Sequence, residues 1–249
     1  MVAAPLLQAK EAADSKPTVV LVHGAFADST SWNHAVTHLL AKGYPVLAFA
    51  NPLRGVKSDA SDLASVLDSV KRPVILVGHS YGGNVITEAA AGKQNVKALI
   101  YVAAIAPETG ETAGSLSGKF PGGTLGSALA PAVILPDGSK DLYILQNKFH
   151  AQFAADVPEA EAKLMAVAQR PIIEAALNEP AVAVAWKTIP SWFLYGSLDK
   201  NIPPAAHAFM AKRAGARETV EIKGASHVVM IMHAEALVKL IENATAATR

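Results

Sequence analysis

The chain has 249 residues, 51% of them hydrophobic, and its 22 Lys and Arg against 21 Asp and Glu leave a formal charge of +1. That suits one sizeable core, and a near-neutral chain without blocks of one sign has no electrostatic footprint for nucleic acid or an anionic membrane surface. The absence of cysteine excludes disulfides, thiolate metal sites and a cysteine nucleophile, and no apolar run approaches the roughly 18 residues of a bilayer span.

Residues 1–16, "MVAAPLLQAKEAADSK", lack the basic start and sustained apolar run of an export signal and read as a loosely ordered extension. They are compatible with a cytoplasmic chain or an exported one whose signal is absent. From Thr18 onward, short apolar runs alternate with helical patterns. "TVVLVH" (18–23), "PVLAFA" (45–50), "PVILVGH" (73–79), "VKALIYVAA" (96–104), "SWFLYG" (191–196) and "ETVEIK" (218–223) predict strands. Most are continuously apolar, as a parallel strand covered on both faces requires. Between them, Trp32, Ala35, Val36, Leu39 and Leu40 recur at helical spacing, with Gly43 as the stop. Leu63, Val66, Leu67 and Val70 make a second stripe, and Ala234, Leu237, Val238 and Ile241 a third. The alternation predicts an α/β fold with a mostly parallel sheet between helices.

Residues 108–138 interrupt the pattern with seven glycines and three prolines, and read as a long mobile loop. "KDLYILQNKFHAQFAA", "EAEAKLMAVAQ" and "PIIEAALN" follow and predict helices. The organisation expected is therefore a core of residues 17–107 and 186–249 carrying residues 108–185 as an inserted cap.

Chemistry concentrates where the third predicted strand ends. Gly78-His79-Ser80-Tyr81-Gly82 fits G-x-S-x-G, after a strand and before a helical run at 84–91. The glycines permit a bend too tight for side chains, and the strained turn lifts Ser80 above the sheet as a candidate nucleophile. A serine hydroxyl needs a base, itself held by an acid, and in this architecture the chain order is Ser, acid, His. Of the histidines after Ser80, His227 lies in a loop just past the last strand, whereas His150, His207 and His233 fall in helical runs. Asp199, a few residues beyond "SWFLYG", is the candidate acid, with Glu108 as its rival. His23 and His79 read as supports of the active-site loops. The oxyanion donors expected are the backbone N–H groups of Tyr81 and, from "VHGAFADS", Ala25, with Phe26 as the fallback.

With these residues placed, the chain resembles the α/β-hydrolase superfamily, and within it the small bacterial carboxylesterases grouped with plant salicylate-type methyl esterases and hydroxynitrile lyases. The resemblance is carried by "LVHGAFADSTSW", "NPLRG", "LVGHSYGG", "KFHAQFAAD", "AWKTIPSWFLYGSLDKNIP" and "GASHVV", nearly the whole chain from Thr18 onward. It implies a six-stranded parallel sheet, no cofactor, Ser80, Asp199 and His227 as triad, a cap that chooses the substrate, and an ester as that substrate. Phe120, Leu142, Leu145, Phe149, Phe153 and Trp186 are candidate walls of an apolar pocket over Ser80, or core of the cap. Phe26 adjoins the oxyanion site. Similar hydroxynitrile lyases carry threonine where this chain has Gly24 and lysine where it has Val228. Gly24 is expected to leave space beside Ser80, and Val228 to offer an apolar wall. The expected activity is hydrolysis of a small carboxylic ester through an acyl-enzyme, with no metal, by a monomer or small homo-oligomer. A lyase acting on cyanohydrins and a hydrolase-fold ligand receptor are the alternatives.

Overall fold

The computed structural model describes residues 16–248, so the loose extension expected over residues 1–16 lies, apart from Lys16, outside the described residues. In chain order the first elements are β1 (Thr18–Val22), a 3-10 turn (Ser29–Trp32), α1 (Asn33–Ala41), β2 (Val46–Phe49), α2 (Val56–Ser69), β3 (Val74–His79), α3 (Gly82–Ala89) and β4 (Val96–Val102). The segment that follows holds α4 (Ala113–Ser117), α5 (Leu125–Ala128), β5 (Val133–Ile134), β6 (Lys140–Leu142), α6 (Gln146–Phe153), α7 (Glu159–Ala168), β7 (Ile172–Ile173) and α8 (Glu174–Leu177). The chain then returns through β8 (Ser191–Gly196), α9 (Pro204–Arg213), β9 (Glu218–Ile222), α10 (Val229–Met232) and α11 (Ala234–Ala247).

Six strands form one sheet in the order β2-β1-β3-β4-β8-β9, every neighbouring pair parallel. The central strands β1 and β3 are buried along their whole length. Their unbroken apolar runs have this cause: helices cover both faces, so no position needs to be polar. Burying each such Val, Leu or Ile stabilises the fold by roughly 1.5–3 kcal/mol. The three predicted helical stripes are α1, α2 and α11. Ala35 and Leu39 of α1, Leu63 and Leu67 of α2 and Leu237, Val238 and Ile241 of α11 are buried, whereas Leu40 faces solvent. Gly43 follows α1 in the left-handed region (φ 74°), which lets the chain turn directly toward β2.

The segment between β4 and β8 departs from expectation in its detail. Residues 108–138 hold two short helices and a strand where the Gly and Pro content predicts loop. "KDLYILQNKFHAQFAA" begins as strand β6 and turns helical only at Gln146, and "PIIEAALN" divides into β7 and α8. β5, β6 and β7 make a small antiparallel sheet. Strands of two or three residues are too short to show a period-2 pattern, which is why the sequence reads as helix there.

Arg54, in "NPLRG", ties this segment to the core: its guanidinium holds Asp141 Oδ1 of β6 at 2.7 Å and the Pro171 carbonyl at 2.9 Å. Leu53 beside it takes a positive φ of 62° and accepts the N–H of Ile173. Among the described residues no helix is long and apolar enough to cross a membrane.

Candidate active site

Ser80 stands at the bend between β3 and α3 with φ 54°, a conformation that costs a non-glycine residue of order 1–3 kcal/mol. Its neighbours explain the motif. A Cβ on Gly78 would sit 2.7 Å from the Gly82 carbonyl oxygen, and one on Gly82 only 2.5 Å from that of Val22. The turn is pinned by three bonds: Ser80 N–H to Val102 O (3.2 Å), and Gly83 and Ile105 N–H to Ser80 O (3.0 and 3.1 Å). The tyrosine after the serine is anchored too, its hydroxyl donating to Asp59 Oδ2 at 3.0 Å. Both Asp59 oxygens also accept the Arg54 N–H, and burial raises its carboxyl above the usual range.

Beyond the carboxyl ends of β8 and β9, the structure brings Asp199 and His227 together. His227 Nδ1 donates to Asp199 Oδ2 at 2.7 Å, with both side chains fully buried. Asp199 Oδ1 accepts the backbone N–H groups of Asn201 (2.8 Å) and Ile202 (3.0 Å). Burial alone would raise this carboxyl, but the charge of His227 and the bonds from His207 and His227 outweigh it. Asp199 is held well below the ordinary carboxylate range. With Nδ1 carrying the proton, His227 Nε2 is a free acceptor; it is buried and makes no hydrogen bond to a protein group among the described residues. Bonds of this kind are commonly long before a substrate closes them. Glu108 is elsewhere, on the surface, paired with Lys187 at 2.5 Å.

The remaining histidines sort by their partners. His79 Nε2 donates to the His227 carbonyl (3.2 Å), and the two rings lie 4.8 Å apart. Burial first, and then the neighbouring His227, drive its pKa well down, so His79 is neutral and braces the His227 loop against β3. His23 accepts the Asn51 N–H on Nε2 at 3.0 Å, so its proton is on Nδ1, bonded to the Gly24 carbonyl at 3.0 Å. Burial lowers its pKa to about 4. His150 bonds the Val157 carbonyl, and His233 lies 3.5 Å from Asp156. His207 is the residue that sequence reading missed: it is helical, as expected, yet its Nε2 donates to Asp199 Oδ2 at 3.0 Å.

His23 also shapes the loop that carries the oxyanion candidates. Phe26 takes φ 60°, and its N–H is committed to the Arg170 carbonyl at 3.0 Å, which removes the fallback donor. Among the described residues the N–H groups of Ala25 and Tyr81 have no protein acceptor.

The space beside Gly24 that sequence reading expects is absent. A Cβ there would meet Ser80 Cβ at 2.6 Å, the His79 carbonyl oxygen at 2.7 Å and Tyr81 N at 3.0 Å. The glycine is required by the close approach of the β1 loop to the elbow. At Ser80 itself lies a cavity of about 40 Å³, lined by Ala25, Phe26, Tyr81, Ile105, Asn201 and Ile202, with Ala113, Ser117, Leu125 and Leu177 from the 108–185 segment.

Of the expected walls, Phe26 alone borders it. Phe120 packs on Phe209 instead, Leu142 is held in β6, and the Trp186 indole N–H is bonded to the Pro107 carbonyl at 2.8 Å. Phe149 packs at a tilt on Phe153, whose ring meets His227 edge-on at 5.1 Å, and Val228 is wholly buried. These aromatic and aliphatic groups are core. The residues that the 108–185 segment adds to the lining, Ala113, Ser117, Leu125 and Leu177, are small or aliphatic and carry no periodic signal, so only the folding of the segment reveals them.

A parallel sheet with an elbow serine after its third strand, and a buried Asp–His pair past its last two, defines an α/β-hydrolase architecture. The alpha/beta hydrolase family model matches residues 19–240, and the chain belongs to that family. It is similar to the alpha/beta hydrolase nvfD of Aspergillus novofumigatus, 25% identical over 92% of this chain and 96% of that protein. It also resembles salicylic acid-binding protein 2 of Nicotiana tabacum, 24% identical over 88% and 93%. The solved structure of polyneuridine aldehyde esterase shares the fold, with TM-score 0.79 and 17% identity over 92% of this chain and 98% of that one.

Proposed function

We propose that the protein is a serine carboxylesterase acting on small esters. The observation that carries this reading is the buried 2.7 Å bond between Asp199 and His227, braced by His79, the residue preceding the elbow serine. In this mechanism Ser80 Oγ attacks the ester carbonyl carbon while His227 Nε2 takes the hydroxyl proton. Asp199 holds the imidazole in the Nδ1–H tautomer and stabilises the cation that forms. The carbonyl oxygen, now anionic, accepts the N–H groups of Ala25 and Tyr81. Collapse breaks the C–O bond to the alcohol, which leaves with the proton from His227, and Ser80 keeps the acyl group. Water then gives a proton to His227 Nε2 as it attacks the acyl carbon; collapse breaks the bond to Ser80 Oγ, which takes the proton back from His227 as the acid leaves.

The 108–185 segment acts as the cap. Its four lining residues and the 40 Å³ volume support a short acyl or alkoxy group at Ser80. Gly24 brings no hydroxyl beside Ser80, which favours acyl transfer over cyanohydrin cleavage. The discriminating experiment offers p-nitrophenyl acetate and mandelonitrile to the same preparation. Release of p-nitrophenol that is lost in Ser80→Ala, with negligible aldehyde, is expected. Fast aldehyde release without ester turnover overturns the reading.

A further inference from the structure

The catalytic carboxylate of a serine triad serves one imidazole, but Asp199 serves two. Oδ1 is filled by the backbone of Asn201 and Ile202, and Oδ2 is shared between His227 Nδ1 at 2.7 Å and His207 Nε2 at 3.0 Å. Because a carboxylate only accepts, both imidazoles present N–H to it. His207 rises from the first turn of α9, which starts immediately after the Asp199 turn. Its ring stacks on Tyr195 of β8 at 4.9 Å and 19°, and its side chain is 1% exposed. Its Nδ1 has no hydrogen-bond partner among the described residues. Apart from packing, its polar connection is therefore this one bond.

We propose that His207 is a positioning residue that sets the proton affinity of His227 through the shared oxygen Asp199 Oδ2. This rests on the triad assigned above. A second N–H on Oδ2 draws off part of the negative charge that would otherwise bind the His227 proton. The base is then neutral, and ready to accept from Ser80, at a lower pH than a singly bonded dyad allows. The titratable groups around His207 are Asp199 and Tyr195, with His227 beyond the carboxylate and His79 beside His227. Glu221 of β9 acts on Tyr195, whose phenol is pushed up to about 12 by burial and then by that charge, so it stays neutral at working pH.

The test compares His207→Leu, His207→Gln and His207→Asn with the parent chain. Gln sets its amide N–H near the position of Nε2, whereas Asn is too short and Leu has no donor. Two readouts are taken: the pH profile of ester hydrolysis, and the NMR titration of the His227 ring in a Ser80→Ala background. The NMR titration does not depend on turnover, so absence of esterase activity defeats the proposed function without touching this inference. In His207→Leu the acidic limb of kcat/KM and the His227 titration should both move up by roughly 0.5–1 pH unit. The plateau kcat should fall about tenfold with KM within about twofold, as expected for losing one bond to a buried charge. Gln should restore both readouts, and Asn should not. Should Leu fail to fold, the Gln–Asn contrast decides alone. Equal His227 titrations in the parent and the donorless variants, or a Gln variant as displaced as Asn, overturn the proposal.

Discussion

Replacing Gly24 by alanine adds one methyl group where the β1 loop passes closest to Ser80. The new carbon would lie 2.6 Å from Ser80 Cβ and 2.7 Å from the His79 carbonyl oxygen. Against a normal carbon contact of roughly 3.5 Å, the first distance is short by about 0.9 Å. Neither neighbour is a flexible tip, since one is the first side-chain carbon of Ser80 and the other the backbone just before it. The β1 loop and the elbow must therefore separate by most of that amount, moving the Ala25 N–H away from the Tyr81 N–H. A misplacement near 1 Å at reacting groups costs on the order of 100-fold in rate, and overpacking of this kind costs about 1–3 kcal/mol of stability. The assay is p-nitrophenyl acetate hydrolysis alongside urea unfolding of parent and Gly24→Ala. Rate should fall about 100-fold in kcat while the protein remains folded. Parental activity and stability together would refute the close-approach argument. Gly24→Thr, which adds a branched side chain at the same point, should be worse still.

Ser80→Ala should remove ester turnover by roughly a million-fold, and Asp199→Asn should cost on the order of 10⁴ by setting the wrong tautomer on His227; matched rates in either variant would reassign that residue. Phe26 borders both the Ser80 cavity and a separate cleft of about 220 Å³. Phe26→Ala should join them and raise the hexanoate-to-acetate rate ratio of p-nitrophenyl esters at least severalfold, an effect absent if the ring is only core. Folding stability should fall with acidity for a separate reason. His23 has a pKa of about 4 when folded against about 6.5 when unfolded. Between those values the unfolded chain binds more protons, so its contribution is intact above about 6.5 and is lost toward 4, on the order of 3 kcal/mol in all. His79, also depressed, adds in the same direction. Urea midpoints equal at pH 7 and pH 4.5 would contradict both buried neutral histidines.

What could be read without coordinates follows from which signals are local. β1, β3, β4 and β8 announce themselves because double burial makes each largely apolar, with exposed Lys97 near the start of β4 as the exception. The elbow does so because only glycine tolerates its contacts, and Asp199 and His227 because each stands just past a strand end. The part of the Ser80 cavity lining that residues 108–185 supply is not legible, since Ala113, Ser117, Leu125 and Leu177 reach it only through the way that segment folds back. Size and aromaticity misled there: Phe149, Phe153 and Trp186 are large enough to be walls and are used as core. Gly24 reads as room for substrate because a missing side chain looks the same from the sequence whether ligand or backbone fills the gap. His207 left no signal, its role resting on a contact between a helix and the preceding turn that a helical pattern conceals.

The central claim is that Ser80 is the nucleophile activated by His227 and Asp199. Its most direct test is peptide mass spectrometry after exposure to a fluorophosphonate, which needs no knowledge of the natural ester. One adduct per chain is expected, on Ser80 within the peptide spanning "VILVGHSYGG", formed slowly or not at all in His227→Ala. Labelling at another serine, or equal labelling of the His227→Ala variant, would contradict it.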